Sequence, residues 1–348
     1  MQAIVQTCAQ WLREGRSVGV ATVVATWGSS PCPVGSKLAF TLDYRMVGSV
    51  SGGCVEGAVV EAGLETLSIG RPQLLSFGVA DETAFEVIGL ACGGQIEVFV
   101  EPLSLTLCAF WERALARQTP AAAATIIDGP PTLLGGRLLL DADGEASSLS
   151  DAHLRQQLST AAQDAIRAGA SRQVTLTSSD GEALRAFIEV IAPPTTLIIV
   201  GAVHIAMALT VLAKALGYRV IVIDPRSAFA SQERFPHADQ IIVAHPSSAL
   251  KEESLTPQTA VVVLGHDAKL DDPALRIALN SPAFYVGALG GQKTRQARRE
   301  RLLKLGLSEA QLDRLCAPIG LPIGARTPEE IAVAILAQII AVRNDKLH

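Results

Sequence analysis

The chain lacks any apolar run approaching the roughly 18 residues that a membrane-spanning helix needs, although 49% of its 348 residues are hydrophobic. Charge is scarce, at 18% of residues with a net of −5. No basic stripe interleaved with aromatics occurs, so nucleic acid is not an expected partner. Between Met1 and Gly19 the polar residues Arg13, Glu14 and Arg16 interrupt any continuous apolar segment. A cleaved leader is therefore not expected, and the expected compartment is the cytoplasm. None of the six cysteines, at positions 8, 32, 54, 92, 108 and 316, belongs to a C-x-x-C pair. In a reducing compartment they are thiols and not a disulfide framework.

What the chain does have is two cysteines beside paired glycines. Ser51-Gly52-Gly53-Cys54-Val55-Glu56 is echoed by Ala91-Cys92-Gly93-Gly94. Glycine tolerates positive φ and lets backbone approach a ligand closely. A thiol in such a turn presents sulfur to a soft metal or acts as a nucleophile. Two such turns read as two halves of one site. A helix expected over 55–67 starts directly after Cys54. Its first N–H groups would offer an anion site beside the cysteine and lower the thiol pKa.

The length suggests two domains. In the first, an opening helix with Val5, Cys8, Trp11 and Leu12 on one face precedes strand-like runs at 18–26, 37–41 and 96–101. These core motifs cover 18–102, and the extension 104–192 is less legible. It shows a hairpin pattern over 135–144, a helix near 151–168 and a strand at 186–191. Cys8 and Cys108 lie in helix-like stretches and read as buried small hydrophobes. Pro193-Pro194 punctuates the chain, giving expected domains of 1–192 and 195–348. The second alternates strands at 197–200, 219–223, 240–244, 260–264 and 284–288 with helices at 204–216, 272–279 and 292–305. Alternating β and α with continuous Val/Ile runs means a doubly wound parallel sheet. The fold class is thus α/β: a mixed N-terminal domain followed by a Rossmann-like domain. A last helix begins Thr327-Pro328-Glu329-Glu330, with an N-cap, proline at N1 and acids in the first turn.

Several motifs admit more than one use. Gly201-Ala202-Val203-His204 stands where a dinucleotide fingerprint belongs, and Asp224 ends the next strand where a ribose-binding acid sits. Val203 replaces the glycine that lets a pyrophosphate approach. His204 and Gly265-His266-Asp267 place titratable groups at the same strand edge, as ligands, proton carriers or helix caps. Residues 28–37 resemble a P-loop superficially, with glycines too far apart and Leu38 in place of the magnesium-holding hydroxyl. Their amides, Ser29, Ser30 and Lys37 could still cradle one phosphate, or form a plain surface turn. The cations Lys293, Arg295, Arg298, Arg299, Arg301 and Lys304 crowd one helix, as a solvated face or as the edge of an anion site.

Taken together, the order Gly28-Ser29-Ser30-Pro31, Gly35-Ser36-Lys37, Gly48 to Glu56 and Cys92-Gly93-Gly94 followed by Glu97 to Pro102 resembles the XdhC/CoxI family. So do Asp224-Pro225-Arg226, His266-Asp267, Ala317 to Leu321 and Thr327 to Ala332. The resemblance implies a maturation factor, not an enzyme, for molybdenum hydroxylases of the xanthine dehydrogenase or carbon monoxide dehydrogenase type. It would bind the molybdenum cofactor (molybdopterin), protect it during sulfuration by a cysteine desulfurase and deliver it to the apo molybdenum hydroxylase. It implies a homodimer as well. The site carried over is Cys54 and Cys92, both as molybdenum ligands, shaped by Ser51, Gly52, Gly53, Gly93 and Gly94, with Ser29, Ser30 and Lys37 for the phosphate. Gly201, His204, Asp224 and His266 would serve a nucleotide in the Rossmann-like domain. The chain departs from the family pattern at Cys32, usually arginine, and at Val203, usually glycine. Gly290-Gly291-Gln292 and Pro322 depart likewise. The competing reading is a Rossmann-fold NAD(P)-dependent oxidoreductase or nucleotide-dependent transferase using Asp224, His204 and His266.

Overall fold

The computed structural model describes residues 1–78, 93–117 and 119–346. Cys92 lies outside the described residues, whereas Gly93 and Gly94 lie within them. The chain forms two compact units, Met1–Pro193 and Pro194–His348.

The first unit starts with α1 (Gln2–Arg13), β1 (Val18–Trp27), β2 (Lys37–Thr41), β3 (Met46–Gly48), α2 (Glu56–Ile69), β4 (Gln73–Phe77) and β5 (Gln95–Pro102). The strands form an antiparallel sheet in the order β3-β2-β1-β5-β4. The same series then repeats: α3 (Leu105–Arg117), β6 (Ala121–Asp128), β7 (Arg137–Asp141), β8 (Gly144–Ser147), α4 (Ala152–Ala168), β9 (Arg172–Thr177) and β10 (Ala183–Ile191). Its sheet order is β8-β7-β6-β10-β9, the first order shifted by five strands.

The likeness extends to register. Thr22 pairs with Lys37 and Phe99, and Thr125 pairs with Arg137 and Phe187. A bulge skips Val24 in the first sheet and Ile127 in the second. The turns match too: Val23 N–H donates to the Ser36 carbonyl, and Ile126 N–H to that of Gly136. The unit is therefore an internal structural duplication, with Lys37 equivalent to Arg137 and Glu101 to Glu189.

Each copy covers one sheet face with its own helix, Val55 and Val59 packing on Leu38 and Val98 in the first. In the second, Leu154, Leu158, Ala162 and Ala165 pack on Ala124 and Ile188. The Asp151 carboxylate accepts from His153 N and Leu154 N to start α4, and Gly169 at φ +65° ends it. The remaining faces meet around Val24, Phe99, Ile127 and Phe187, two pairs of equivalent residues.

The second unit contains β11 (Thr196–Val200), α5 (His204–Ala215), β12 (Arg219–Ile223), β13 (Gln240–Ile242), α6 (Pro246–Glu252), β14 (Thr259–Val263), α7 (Ala268–Leu279), β15 (Tyr285–Ala288), α8 (Gln292–Lys304), α9 (Glu309–Asp313), β16 (Leu315–Cys316) and α10 (Pro328–Arg343). Its six-stranded parallel sheet runs β13-β12-β11-β14-β15-β16, so the strand order reverses between β11 and β14. Leu197 and Ile199 face the layer containing α5 and α10, and Ile198 and Val200 face that containing α6, α7 and α8. This is the doubly wound, Rossmann-like arrangement that the Val/Ile runs predict. Two details differ. The two-residue β16 gave no periodic signal. Helix α7 starts at Ala268 and not at 272, because Asp267 caps it by accepting from Lys269 N.

Candidate functional site

Three loops of the first copy converge: 28–36 between β1 and β2, 49–55 between β3 and α2, and the Gly93-Gly94 turn before β5. Gly94 lies so close to the first loop that a Cβ on it would stand 1.9 Å from the Ser29 carbonyl oxygen. Pro31 packs on Gly52, 3.6 Å from the place of its Cβ, and Cys32 Sγ lies 3.8 Å from Ser49 Oγ. The loop 28–36 is thus held between the two glycine turns that carry Cys54 and precede β5. The Ser30 hydroxyl donates to the Cys32 carbonyl at 2.8 Å, which shapes this loop.

The Cys54 turn is organised by Glu56. Its carboxylate accepts from the hydroxyls of Ser49 and Ser51 (both 2.5 Å) and from Val50 N (3.2 Å), Ser51 N (2.9 Å) and Gly53 N (2.9 Å). Ser51 Oγ in turn accepts from Cys54 N and Val55 N, each at 3.0 Å. Gly52 and Gly53 adopt φ of +76° and +117°, values that L side chains resist. Burial pushes the Glu56 carboxyl up, but the hydrogen bonds from Ser49 and Ser51 outweigh it and hold it at about 2. Cys54 itself is exposed.

Two expectations are corrected here. The N–H groups preceding α2 do not form an open anion site, because the Glu56 carboxylate and the Ser51 hydroxyl engage them. Lys37 does not reach the loop as a phosphate-binding cation. It is buried, pairs with Glu189 at 2.9 Å, donates to Thr22 Oγ1 at 3.0 Å and lies over the Trp111 ring. Glu56 stood inside the motif, and sequence reasoning gave it no role. The signal was an acid at the helix start, preceded by serines whose hydroxyls can reach back.

The duplication supplies an internal comparison. Where the first copy needs residues 49–55 to connect β3 to α2, the second needs only 148–151 to connect β8 to α4. The β4–β5 connection of 78–94 corresponds to 178–182, which closes on itself through Ser178 N and the Glu182 carbonyl. Asp151 bonds Ser179 N at 3.1 Å and ties these two short segments together. The scaffold is shared, and the Cys54 turn is an addition to the first copy.

In the second unit, Gly201 (φ +101°) and Asp224 share one strand edge, Gly201 N donating to the Ile223 carbonyl. Asp224 is not open to a ribose. It is 1% exposed and accepts from Ala202 N (2.8 Å), Arg226 N (2.9 Å) and the Arg226 guanidinium. Burial raises its pKa, while the Arg226 bonds outweigh that and bring it below the ordinary value. Arg226 stacks on Phe229 at 4.0 Å. His204 opens α5 and lines a cavity of about 680 Å³ with Met207, Val211, Glu329 and Val333. His266 is exposed beside the start of α7. Of the four residues predicted for a nucleotide, Asp224 is thus already engaged by Ala202 and Arg226.

A molybdenum–dithiolene centre needs a soft donor and close backbone approach, and the exposed Cys54 thiol between glycine turns fits that demand. Among the described residues no group of three or more His, Cys, Asp or Glu side chains could hold a metal ion. Residues 11–78 match the XdhC and CoxI family, and residues 197–339 match the XdhC Rossmann domain. A probable xanthine dehydrogenase subunit from Bacillus subtilis (strain 168) is 30% identical over 95% of both chains. The molybdenum cofactor insertion chaperone PaoD of Escherichia coli (strain K12) is 27% identical over 98% of this chain and 88% of its own. A solved structure of a Bacillus halodurans xanthine dehydrogenase aligns with a TM-score of 0.77 and 25% identity, covering 99% of this chain and 96% of that one. Motifs at both ends and a relative aligned along nearly the whole length establish that the chain belongs to the XdhC and CoxI family.

Proposed function

We propose that this protein is a molybdenum-cofactor chaperone. It holds the cofactor at the Cys54 turn, together with Cys92, keeps it through sulfuration by a cysteine desulfurase, and delivers it to an apo molybdenum hydroxylase. The observation that carries this reading is the exposed Cys54 thiol on a turn locked by Glu56, facing a loop that also seats Gly94. A rigid turn positions sulfur without the entropy cost of ordering a loop on binding. When bound, the cofactor supplies a soft metal centre for which thiolate is a suitable donor. The chain's own part is to present the thiol, to offer Gly52–Gly53 and Gly93–Gly94 backbone to the pterin, and to keep Glu56 out of the metal's reach by saturating it with donors. A homodimer belongs to this proposal. The oxidoreductase reading has less support, because Asp224 is closed by Arg226 and Ala202.

Maturation in a purified system tests the proposal. Apo molybdenum hydroxylase, free cofactor and this chain should give active enzyme. Cys54→Ser should abolish the gain, and Cys108→Ala, at a buried thiol, should keep it. Equal activation by Cys54→Ser and wild type would refute the assignment.

A further inference from the structure

Helix α5 is apolar on two faces. Ala206, Leu209, Thr210 and Ala213 form the buried one, against the parallel sheet. Met207, Ala208 and Val211 continue from His204 at i+3, i+4 and i+7 and form a second face, and Lys214 is the one charged residue of the helix. A helix apolar on so much of its circumference is ordinarily buried. Here the second face opens on the cavity of about 680 Å³, whose other walls are the segment 233–237 between β12 and β13 and the start of α10. Val211 is 51% exposed and Val333, on α10, is 47% exposed.

The lining joins these apolar side chains to an excess of acid. Glu233, Glu329 and Glu330 stand against one guanidinium, that of Arg234. Arg234 is already engaged, donating to the carbonyls of Ala202 (2.9 Å) and Phe229 (2.8 Å) and stacking on the Phe229 ring. Glu330 is held at the start of α10, where it accepts from Arg326 N and Thr327 N. Glu233 and Glu329 are exposed and have no partner among the described residues. Two carboxylates are thus left to face whatever covers the apolar stripe.

That balance selects the occupant. An anion would meet the carboxylates with no uncommitted guanidinium to offset them. A second copy paired through this face by a two-fold axis would set the carboxylates against their own equivalents. A small molecule is poorly enclosed between half-exposed valines, because ligand pockets bury most of what they hold. The stripe from His204 to Val211 is about 10.5 Å long, enough for anchors at i, i+4 and i+7 of a partner helix. Lys or Arg beside those anchors would meet Glu233 and Glu329. We infer that α5 and α10 form a groove that docks a basic amphipathic helix of a partner protein. This inference does not depend on the cysteine site.

Fluorescence anisotropy with the full chain tests it. The probe is a labelled helical peptide of about 14 residues, with Leu at i, i+4 and i+7 and Lys elsewhere, compared with the same peptide carrying Glu for Lys. The Lys peptide should bind with a Kd below about 100 μM, and the Glu peptide about tenfold or more weakly. Val211→Gln and Glu233→Lys should each weaken the Lys peptide about tenfold, whereas Asp180→Lys, the same charge change at an exposed acid of the first unit, should leave it unchanged. Both groove positions are exposed, and if a variant still does not fold, the Lys–Glu peptide contrast decides on wild-type protein. No binding below about 100 μM, equal binding of both peptides, or full affinity in Val211→Gln and Glu233→Lys would overturn the inference. So would phenethylammonium binding as tightly as the peptide, which makes a small cation the occupant, or a wild-type oligomer that dissociates in Val211→Gln, which makes it a second copy.

Discussion

Lys37 and Arg137 occupy the same position in two copies of one strand order, and each reaches across to the other copy's glutamate. Lys37 pairs with Glu189, and Arg137 pairs with Glu101. Because Glu101 and Glu189 are themselves equivalent, the two ion pairs are related by a local two-fold exchange. They fix how the two sheets meet, and a cavity of about 20 Å³, room for about one water, lies among Thr22, Thr125, Lys37 and Glu189.

Removing one partner of such a pair leaves a buried charge uncompensated. Lys37→Met should destabilise the protein by about 3–5 kcal/mol in urea unfolding. The Lys37→Met/Glu189→Leu double variant should cost less than the sum of its singles, though the Trp111 indole N–H would lose its Glu189 acceptor. A loss below about 1 kcal/mol for Lys37→Met would show that the pair does not hold the copies together.

Glycines in and near the site should respond very differently. Gly94→Ala must displace the loop at Ser29, whose carbonyl oxygen would lie 1.9 Å from the new Cβ, so cofactor retention should fall about tenfold or more. Gly57→Ala, within α2 and facing open space, should raise stability by about 0.4–1 kcal/mol and leave retention intact. Similar retention by both variants would contradict the loop convergence.

Glu56 predicts an acid-sensitive turn. Its folded-state value of about 2 lies below the ordinary 4.5, so it contributes stability in full above about pH 4.5 and loses it as pH falls toward 2. Glu56→Gln should flatten the pH dependence of the urea midpoint in that window. An unchanged pH dependence in Glu56→Gln would count against the electrostatic account of the turn.

The parallel sheet was legible because both of its faces are covered, which writes strands as uninterrupted Val/Ile runs. The Cys54 turn was legible because paired glycines beside a cysteine mark a backbone that needs positive φ, as Gly52 and Gly53 show. The duplication was not, because its equivalences are scattered single residues such as Thr22 with Thr125, Phe99 with Phe187 and Glu101 with Glu189, and the intervening loops differ in length. Lys37 misled for a local reason. It follows a Gly/Ser/Pro loop, but it is the first residue of β2, on the face shared with Ala39 and opposite to Leu38 and Phe40. Strand alternation turns it inward toward Trp111 and Glu189. Glu56 was hidden because its function is to bind its own backbone.

The central claim is that the Cys54 turn holds the molybdenum cofactor. Anaerobic incubation of the reduced full chain with cofactor, followed by desalting and measurement of molybdenum and pterin per chain, tests it most directly. The account predicts retention by wild type and a loss of about tenfold or more in Cys54→Ser, with Cys108→Ala unchanged. Retention by Cys54→Ser at the wild-type level would contradict it.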